Sequence, residues 1–210
     1  MADWVTISSL ATAGGTLVLA AATFASVKSA NRAARVAERS LLAGLRPLLM
    51  PSRPDDPPQK VNYADGRWVS VPGASGAAEL SERAVYLALS LRNVGSGIGV
   101  LHGWRLTVPQ APGSPERPDP DSFTRLTRDL YVAAGDVGFW QGTFRDPASA
   151  AFAAARSAIE AREPLTVELL YGDLEGGQRV ISRYTLSPRA DGGWVASAGR
   201  HWNLDTPDPR

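Results

Sequence analysis

The sequence predicts a mainly β protein: an N-terminal transmembrane helix that continues into a juxtamembrane helix, then an antiparallel β-sandwich or open barrel with one internal helix. Two observations carry this prediction. Residues 4–27 contain no charged side chain, and beyond residue 60 several segments alternate apolar and polar residues with the period of a β-strand. Sixteen prolines and twenty glycines in 210 residues indicate many turns, which is typical of a β-rich domain.

The uncharged stretch 4–27 is long enough to be a membrane anchor. As a helix it spans roughly 36 Å, against a hydrocarbon core of ~30 Å. A cleaved signal peptide would carry cations before its apolar region, whereas here Asp3 precedes the stretch and every nearby cation follows it. We therefore predict a single span in contact with lipid. The small residues Ala11 and Gly15 are compatible with homo-oligomers formed through this anchor.

Cations on one side of the span predict its orientation. The basic stripe, by which we mean Lys28, Arg32, Arg35 and Arg39, follows the span, and no cation precedes it. We predict that the span lies in the inner (plasma) membrane. By the positive-inside rule, the C-terminal domain then lies in the cytoplasm and the N-terminus lies outside. The spacing of 4, 3 and 4 puts the stripe on one helix face. We interpret it as a topology signal on a solvated face; contact with anionic headgroups is the alternative.

The chain divides at changes in composition. Helix-forming residues continue after the anchor until a glycine and a proline, and four prolines then follow within eight residues. The predicted parts are a transmembrane anchor at 1–27, a basic juxtamembrane helix at 28–46, a proline-rich linker at 47–60 and a β-rich globular domain at 61–210.

Within the globular domain, alternation and turn signals predict the elements in order. The first two are strands at 85–91 and 98–108, which are joined through Asn93–Gly97 as a hairpin or sharp corner. A proline-rich loop at 109–121 follows, and then a pair of β-strands within 128–144 around Gly135 and Asp136. The last elements are a helix at 147–163 and a hairpin of residues 165–173 with residues 179–186. The helix presents Phe152, Ala155 and Ile159 on one face, which predicts that it covers the sheet.

Three glycines at positions 95, 97 and 99 invite comparison with a phosphate-binding loop. A dinucleotide fingerprint starting at Gly95 needs a small residue where Val100 stands, and one starting at Gly97 needs it where His102 stands. The following segment alternates with period two, so no helix N-terminus is present to receive a phosphate. We predict that these glycines supply positive φ angles and a bulge.

Composition restricts the chemistry of any site. The absence of cysteine excludes disulfides and thiolate metal sites, and two histidines leave little material for acid–base or metal chemistry. A net charge of +1 and a basic stretch without aromatic residues argue against nucleic-acid binding. We predict no catalytic, cofactor or metal site. The candidate surface for a ligand or partner consists of His102, Trp104, His201 and Trp202, with His102 on the same apolar face as Trp104.

Several stretches resemble uncharacterised actinobacterial single-pass membrane proteins. They cover most of the chain and include "SANRAARVAERSLLAGLRPLL", "YLALSLRNVGSGIGVLHGW" and "YGDLEGGQRVISRYTL". The pieces "LRNVGSG" and "YGDLEGG" also resemble bacterial membrane-tethered β-sandwich proteins. The resemblance implies a fold and a location, and no activity.

The predicted function is therefore a membrane-tethered cytosolic β-sandwich that acts as a non-enzymatic interaction or sensing module with a protein partner. The alternative is a membrane-anchored hydrolase or carbohydrate-active enzyme. It would use carboxylate pairs drawn from Asp119, Asp121, Asp173 and Asp205. A third hypothesis places the same sandwich in the cell envelope.

Overall fold

A computed structural model of the chain describes residues 3–107 and 116–205. The chain divides into two compact units, Met1–Gly44 and Leu45–Arg210. The first unit is one helix, α1 (Trp4–Gly44), which ends at the predicted glycine. Its segment Ile7–Leu42 is long and apolar enough to cross a membrane, a property that it shares with signal sequences. Hydroxyl groups along it donate to carbonyls four residues earlier, which satisfies these polar groups within the helix.

The second unit is built from eleven strands and one further α-helix among its described residues. The strands are β1 (Leu49–Pro51), β2 (Gln59–Asn62), β3 (Trp68–Val71), β4 (Ser75–Leu80), β5 (Val85–Asn93), β6 (Gly99–Thr107), β7 (Thr124–Val132), β8 (Val137–Phe144), β9 (Leu165–Gly172), β10 (Val180–Pro188) and β11 (Trp194–Asn203), and the helix is α2 (Ala150–Glu160). Nine strands form one curled antiparallel half-barrel in the order β1-β5-β4-β11-β10-β9-β6-β7, with β8 on the other side of β5. The strands β2 and β3 form a separate ribbon. The predicted mainly β fold is confirmed.

The structure decides how two predicted pairs of strands are connected. β5 pairs with β1, β4 and β8, whereas β6 pairs with β7 and β9. The connection between β5 and β6 is therefore a corner and not a hairpin. Strands β7 and β8 exist as predicted around Gly135, but they pair with β6 and β5 and form no ladder with each other. By contrast, the hairpin of β9 and β10 has the predicted partners.

The segment predicted as a linker, 47–60, belongs in large part to the folded unit. β1 lies within it and pairs with β5, and Leu49 is fully buried. The hydroxyl of Tyr184 donates to the carbonyl of Leu49 (2.7 Å), and the N–H of Leu49 donates to the hydroxyl of Tyr171 (3.2 Å). Its prolines mark a short strand and its turns, because proline is tolerated at a strand end.

The main core fills the inside of the half-barrel. Leucines of β5 and the residues Val167, Leu169 and Tyr171 of β9 meet there. Helix α2 is capped by Ser149, whose side chain accepts a hydrogen bond from the N–H of Phe152, and it buries the predicted face against this core. A second cluster lies between the β2–β3 ribbon and the other face of β5, around Tyr63.

The corner between β5 and β6 is organised by the buried side chain of Asn93. Its amide nitrogen donates to the carbonyls of Gly97 (2.6 Å) and Val132 (3.0 Å). Its amide oxygen accepts from the N–H groups of Leu48 (3.1 Å) and Gly95 (3.0 Å). Two donors and two acceptors are thus all engaged, and three separate segments of chain are held together.

The glycines of this corner make room for backbone. A Cβ added to Gly95 would overlap the carbonyl oxygen of Arg46, and one added to Gly97 would overlap that of Leu45. Neither glycine has a positive φ. The prediction that they supply positive φ angles is wrong. They are required because the backbone of residues 45–48 approaches too closely for a side chain.

Candidate functional site

The ladder between β6 and β7 is interrupted at His102. Leu101 pairs with Leu130, but the next pair is Gly103 with Arg125. One residue of β6 therefore faces four residues of β7, Leu126–Asp129, which have no strand partner in the described part of the chain. His102 is also the extra residue relative to β9. Such bulges bend a strand and redirect its side chains.

A cleft of about 520 Å³ lies at this interruption. Its apolar floor includes Phe123, Leu126 and Leu170. The polar groups that line it are His102, Asp121, Arg125, Asp129 and Arg179. The cleft combines charges of both signs around an apolar floor, so it suits a ligand that is itself both polar and apolar.

His102 is the central side chain of the cleft. It is partly buried, and this burial, followed by the positive charge of Arg179, lowers its pKa from the ordinary value of 6.5. The ring is therefore mainly neutral at pH 7, with one nitrogen donating and the other accepting. Gly172 of β9 lies against this ring, and a Cβ there would stand 3.2 Å from its Nε2 atom.

The bulge overturns the expectation that His102 shares an apolar face with Trp104. Because one extra residue is inserted, Leu101 and Trp104 both belong to the main core, whereas His102 lines the cleft and is not part of that core. Trp104 is 4% exposed and its ring contacts Trp140 and Phe144.

The other two predicted residues do not line the cleft, although Trp202 belongs to the same buried apolar cluster as Phe123. The Nδ1 atom of His201 is 2.5 Å from the hydroxyl of Ser182, which also bonds the hydroxyl of Tyr171. Trp202 is 4% exposed beneath the guanidinium of Arg183. The four candidates therefore do not form one surface: His102 lines the cleft, while Trp104, His201 and Trp202 do not.

The aspartates of the hydrolase hypothesis have separate roles. Asp119 accepts from the N–H of Asp121 at the start of the 3-10 helix Pro120–Ser122. Asp173 accepts from the N–H of Gly177 and so closes the β9–β10 turn. Asp205 pairs with Arg179, which lowers the pKa of its carboxyl. Of these four aspartates, Asp121 alone lines the cleft. In residues 3–107 and 116–205, no group of three His, Asp or Glu side chains is placed to hold a metal.

One wall of the cleft is fixed by a buried ion-pair cluster beside it. The carboxylate of Glu168 is 1% exposed and lies between the guanidinium groups of Arg105 and Arg183. Arg105 also donates to Ser122 and stacks over the ring of Phe123. The cluster therefore ties the segment that carries Asp121 and Phe123 to the sheet, in a position set by charge-assisted hydrogen bonds.

Three polar residues that line the cleft, Arg125, Asp129 and Arg179, were missed from the sequence. The available signal was the pattern Leu126, Arg128, Leu130, in which a charged residue stands between two leucines that pack against the core. Arg128 donates to the side chain of Gln141, across the seam between β7 and β8. A charge at such a position marks an irregular edge strand.

Comparisons with known protein families, with curated proteins and with solved structures find no match.

Proposed function

We propose that this protein is a membrane-tethered interaction module. In this proposal α1 crosses the inner (plasma) membrane with its N-terminus outside, and the β unit lies in the cytoplasm. The cleft beside His102 binds a segment of a partner protein. The observation that carries the binding role is the interrupted ladder, because it leaves residues 126–129 of an edge strand beside a cleft of ligand size.

The composition of the cleft favours a protein segment over a hydrolysable substrate. The backbone groups of an edge strand that lack a strand partner can form hydrogen bonds with an extended peptide. Arg125 and Asp129 can form ion pairs with acidic and basic side chains, respectively, of that peptide. Three of the four aspartates on which hydrolysis would depend are used in a cap, a turn and an ion pair, and Asp121 is the one of the four that lines the cleft. Binding of a protein segment leaves the cap, the turn and the ion pair in place, whereas catalysis by Asp119, Asp173 or Asp205 would have to break them.

Site-specific photo-crosslinking in living cells tests the binding role. A photoreactive amino acid replaces Leu126 in the full-length chain, and in a matched variant it replaces Glu82, an exposed residue of the β4–β5 turn. We expect a discrete adduct from position 126 that is absent from position 82 and is weakened by Arg125→Glu. The same adduct from both positions, or no adduct from position 126, would refute the proposal.

Two further measurements test the tether. Alkaline carbonate should leave the full-length protein in the membrane, and release of intact protein would refute the span. A reporter that is active only outside the cytoplasm should be silent when fused to the C-terminus. Its activity would reverse the proposed orientation and favour the envelope hypothesis.

A further inference from the structure

The basic stripe on α1 is continuous with the apolar face of the span. Lys28, Arg32, Arg35 and Arg39 line one shallow groove together with Phe24 and Val27 on the membrane side and with Asn31 and Val36 among the cations. The helix runs through all of these positions to Gly44 without a break. Along this face, apolar residues are therefore followed by cations. Such an arrangement is typical of a surface that lies partly in the hydrocarbon core and partly among the lipid headgroups.

The four cations are available for a ligand. In the described residues none of them forms an ion pair, and neither does Glu38, the only acid between Lys28 and Gly44. All four side chains are exposed. Charged surfaces elsewhere in the chain differ from this one: Arg105 and Arg183, for example, are both engaged by Glu168.

Helix geometry decides which cations reach the headgroups. Relative to Lys28, Arg32 lies roughly 6 Å, Arg35 roughly 10 Å and Arg39 roughly 16 Å farther along the axis. The headgroup layer is only about 5–8 Å thick in each leaflet. Side chains in a helix lean towards its N-terminus, which in α1 is the membrane end, so Arg35 leans back into this layer while Arg39 remains beyond it.

We infer that Lys28, Arg32 and Arg35 bind the phosphate groups of anionic phospholipids in the leaflet where α1 leaves the membrane, and that Arg39 does not. The inference rests on the proposed membrane span. Guanidinium groups suit this role because they bond phosphate oxygens in pairs. A cation near an anionic surface is worth about 1 kcal/mol, which corresponds to about a fivefold preference for each one.

Lipid selectivity of the full-length protein tests the inference. The protein is reconstituted in phosphatidylcholine bilayers that contain spin-labelled phosphatidylglycerol or spin-labelled phosphatidylcholine, and the motionally restricted fraction of each label is measured. We expect the wild type to favour phosphatidylglycerol and high salt to reduce the preference. Arg32→Gln should lower it several-fold, and the matched variant Arg39→Gln should leave it unchanged.

The outcomes separate the two proposals. If carbonate releases the wild type from the membrane, the span itself fails. If the wild type stays in the membrane but shows no preference for the anionic label, the span stands and the lipid inference is overturned. An equal effect of Arg32→Gln and Arg39→Gln would also overturn it, since that result would indicate a diffuse electrostatic field and no direct contact of particular cations with phosphate.

Discussion

Replacement of Asn93 by alanine tests whether one buried amide organises the corner between β5 and β6. The substitution removes one hydrogen bond from each of four backbone groups: the carbonyls of Gly97 and Val132 and the N–H groups of Leu48 and Gly95. At about 1 kcal/mol for each group, the lower end of the usual cost, the free energy of unfolding should fall by about 4 kcal/mol. A domain of this size then loses about 8–16 °C in Tm.

The assay is thermal and urea unfolding of the full-length protein in detergent, followed by the fluorescence of the buried tryptophans Trp104 and Trp140. Asn62→Ala is the matched control, because the buried amide oxygen of Asn62 has no hydrogen-bond partner. Its loss should be about 1 kcal/mol or less. A loss below about 1 kcal/mol in Asn93→Ala would refute the reasoning, since buried polar groups would then have found other partners.

Asn93→Asp gives the same test a pH dependence. The carboxylate keeps both acceptor positions but loses both donors, and it places negative charge against the carbonyls of Gly97 and Val132. We expect its pKa in the folded state to rise above the unfolded value. Stability is then greatest at low pH, where the group is protonated, and is lost as the pH rises through the folded pKa. A pH-independent difference from the wild type would contradict this account.

Three further predictions concern single side chains. Gly97→Ala should lower the free energy of unfolding by about 1–3 kcal/mol, because the added Cβ would overlap the carbonyl oxygen of Leu45. Gly177 has open space around it, so Gly177→Ala should change the free energy of unfolding by less than about 0.5 kcal/mol in the same assay. The arginine partner of Asp56 lowers the pKa of its carboxyl from 3.8 to about 2. The stability that Asp56 contributes is therefore full above pH 3.8 and declines as the pH falls towards 2, so urea midpoints of Asp56→Asn and the wild type should converge over that interval. The proton NMR signals of the His102 ring can be assigned because they are absent from the His102→Gln variant. We expect the ring to titrate with a midpoint below pH 6.5, and a midpoint at or above 6.5 would contradict its partial burial.

The sequence was informative where one face of a strand is apolar, as in β5. Val85, Leu87, Leu89 and Leu91 are all buried in the main core. The opposite face of β5 was harder, because Tyr86 and Ala88 are also buried, beneath the β2–β3 ribbon. That ribbon could not be predicted, since its strands have four residues each and so carry too few residues to show a period.

The cleft could be predicted only in part. His102 was a candidate from its residue type, but its direction depends on a bulge that the sequence does not reveal. Apolar residues at even positions continue past His102 without interruption, so the alternation looks unbroken. The structure instead takes a step of three, from Leu101 to Trp104, because β7 and β9 impose different registers on the two halves of β6. Register is set by neighbours distant in sequence, and short-range periodicity cannot report it.

The glycines between β5 and β6 show that a local motif can be required by a segment that is distant in sequence. Gly95 and Gly97 suggested a ligand loop or a turn with positive φ, yet their nearest neighbours are backbone atoms of residues 45–48. Those residues lead directly into Leu49, whose N–H and carbonyl are bound by two buried tyrosines. Because Gly95 and Gly97 have no side chains, residues 45–48 can pass close to them and lead directly into β1 of the sheet. The segment predicted as a linker therefore contributes β1 to the same folded unit as the cleft.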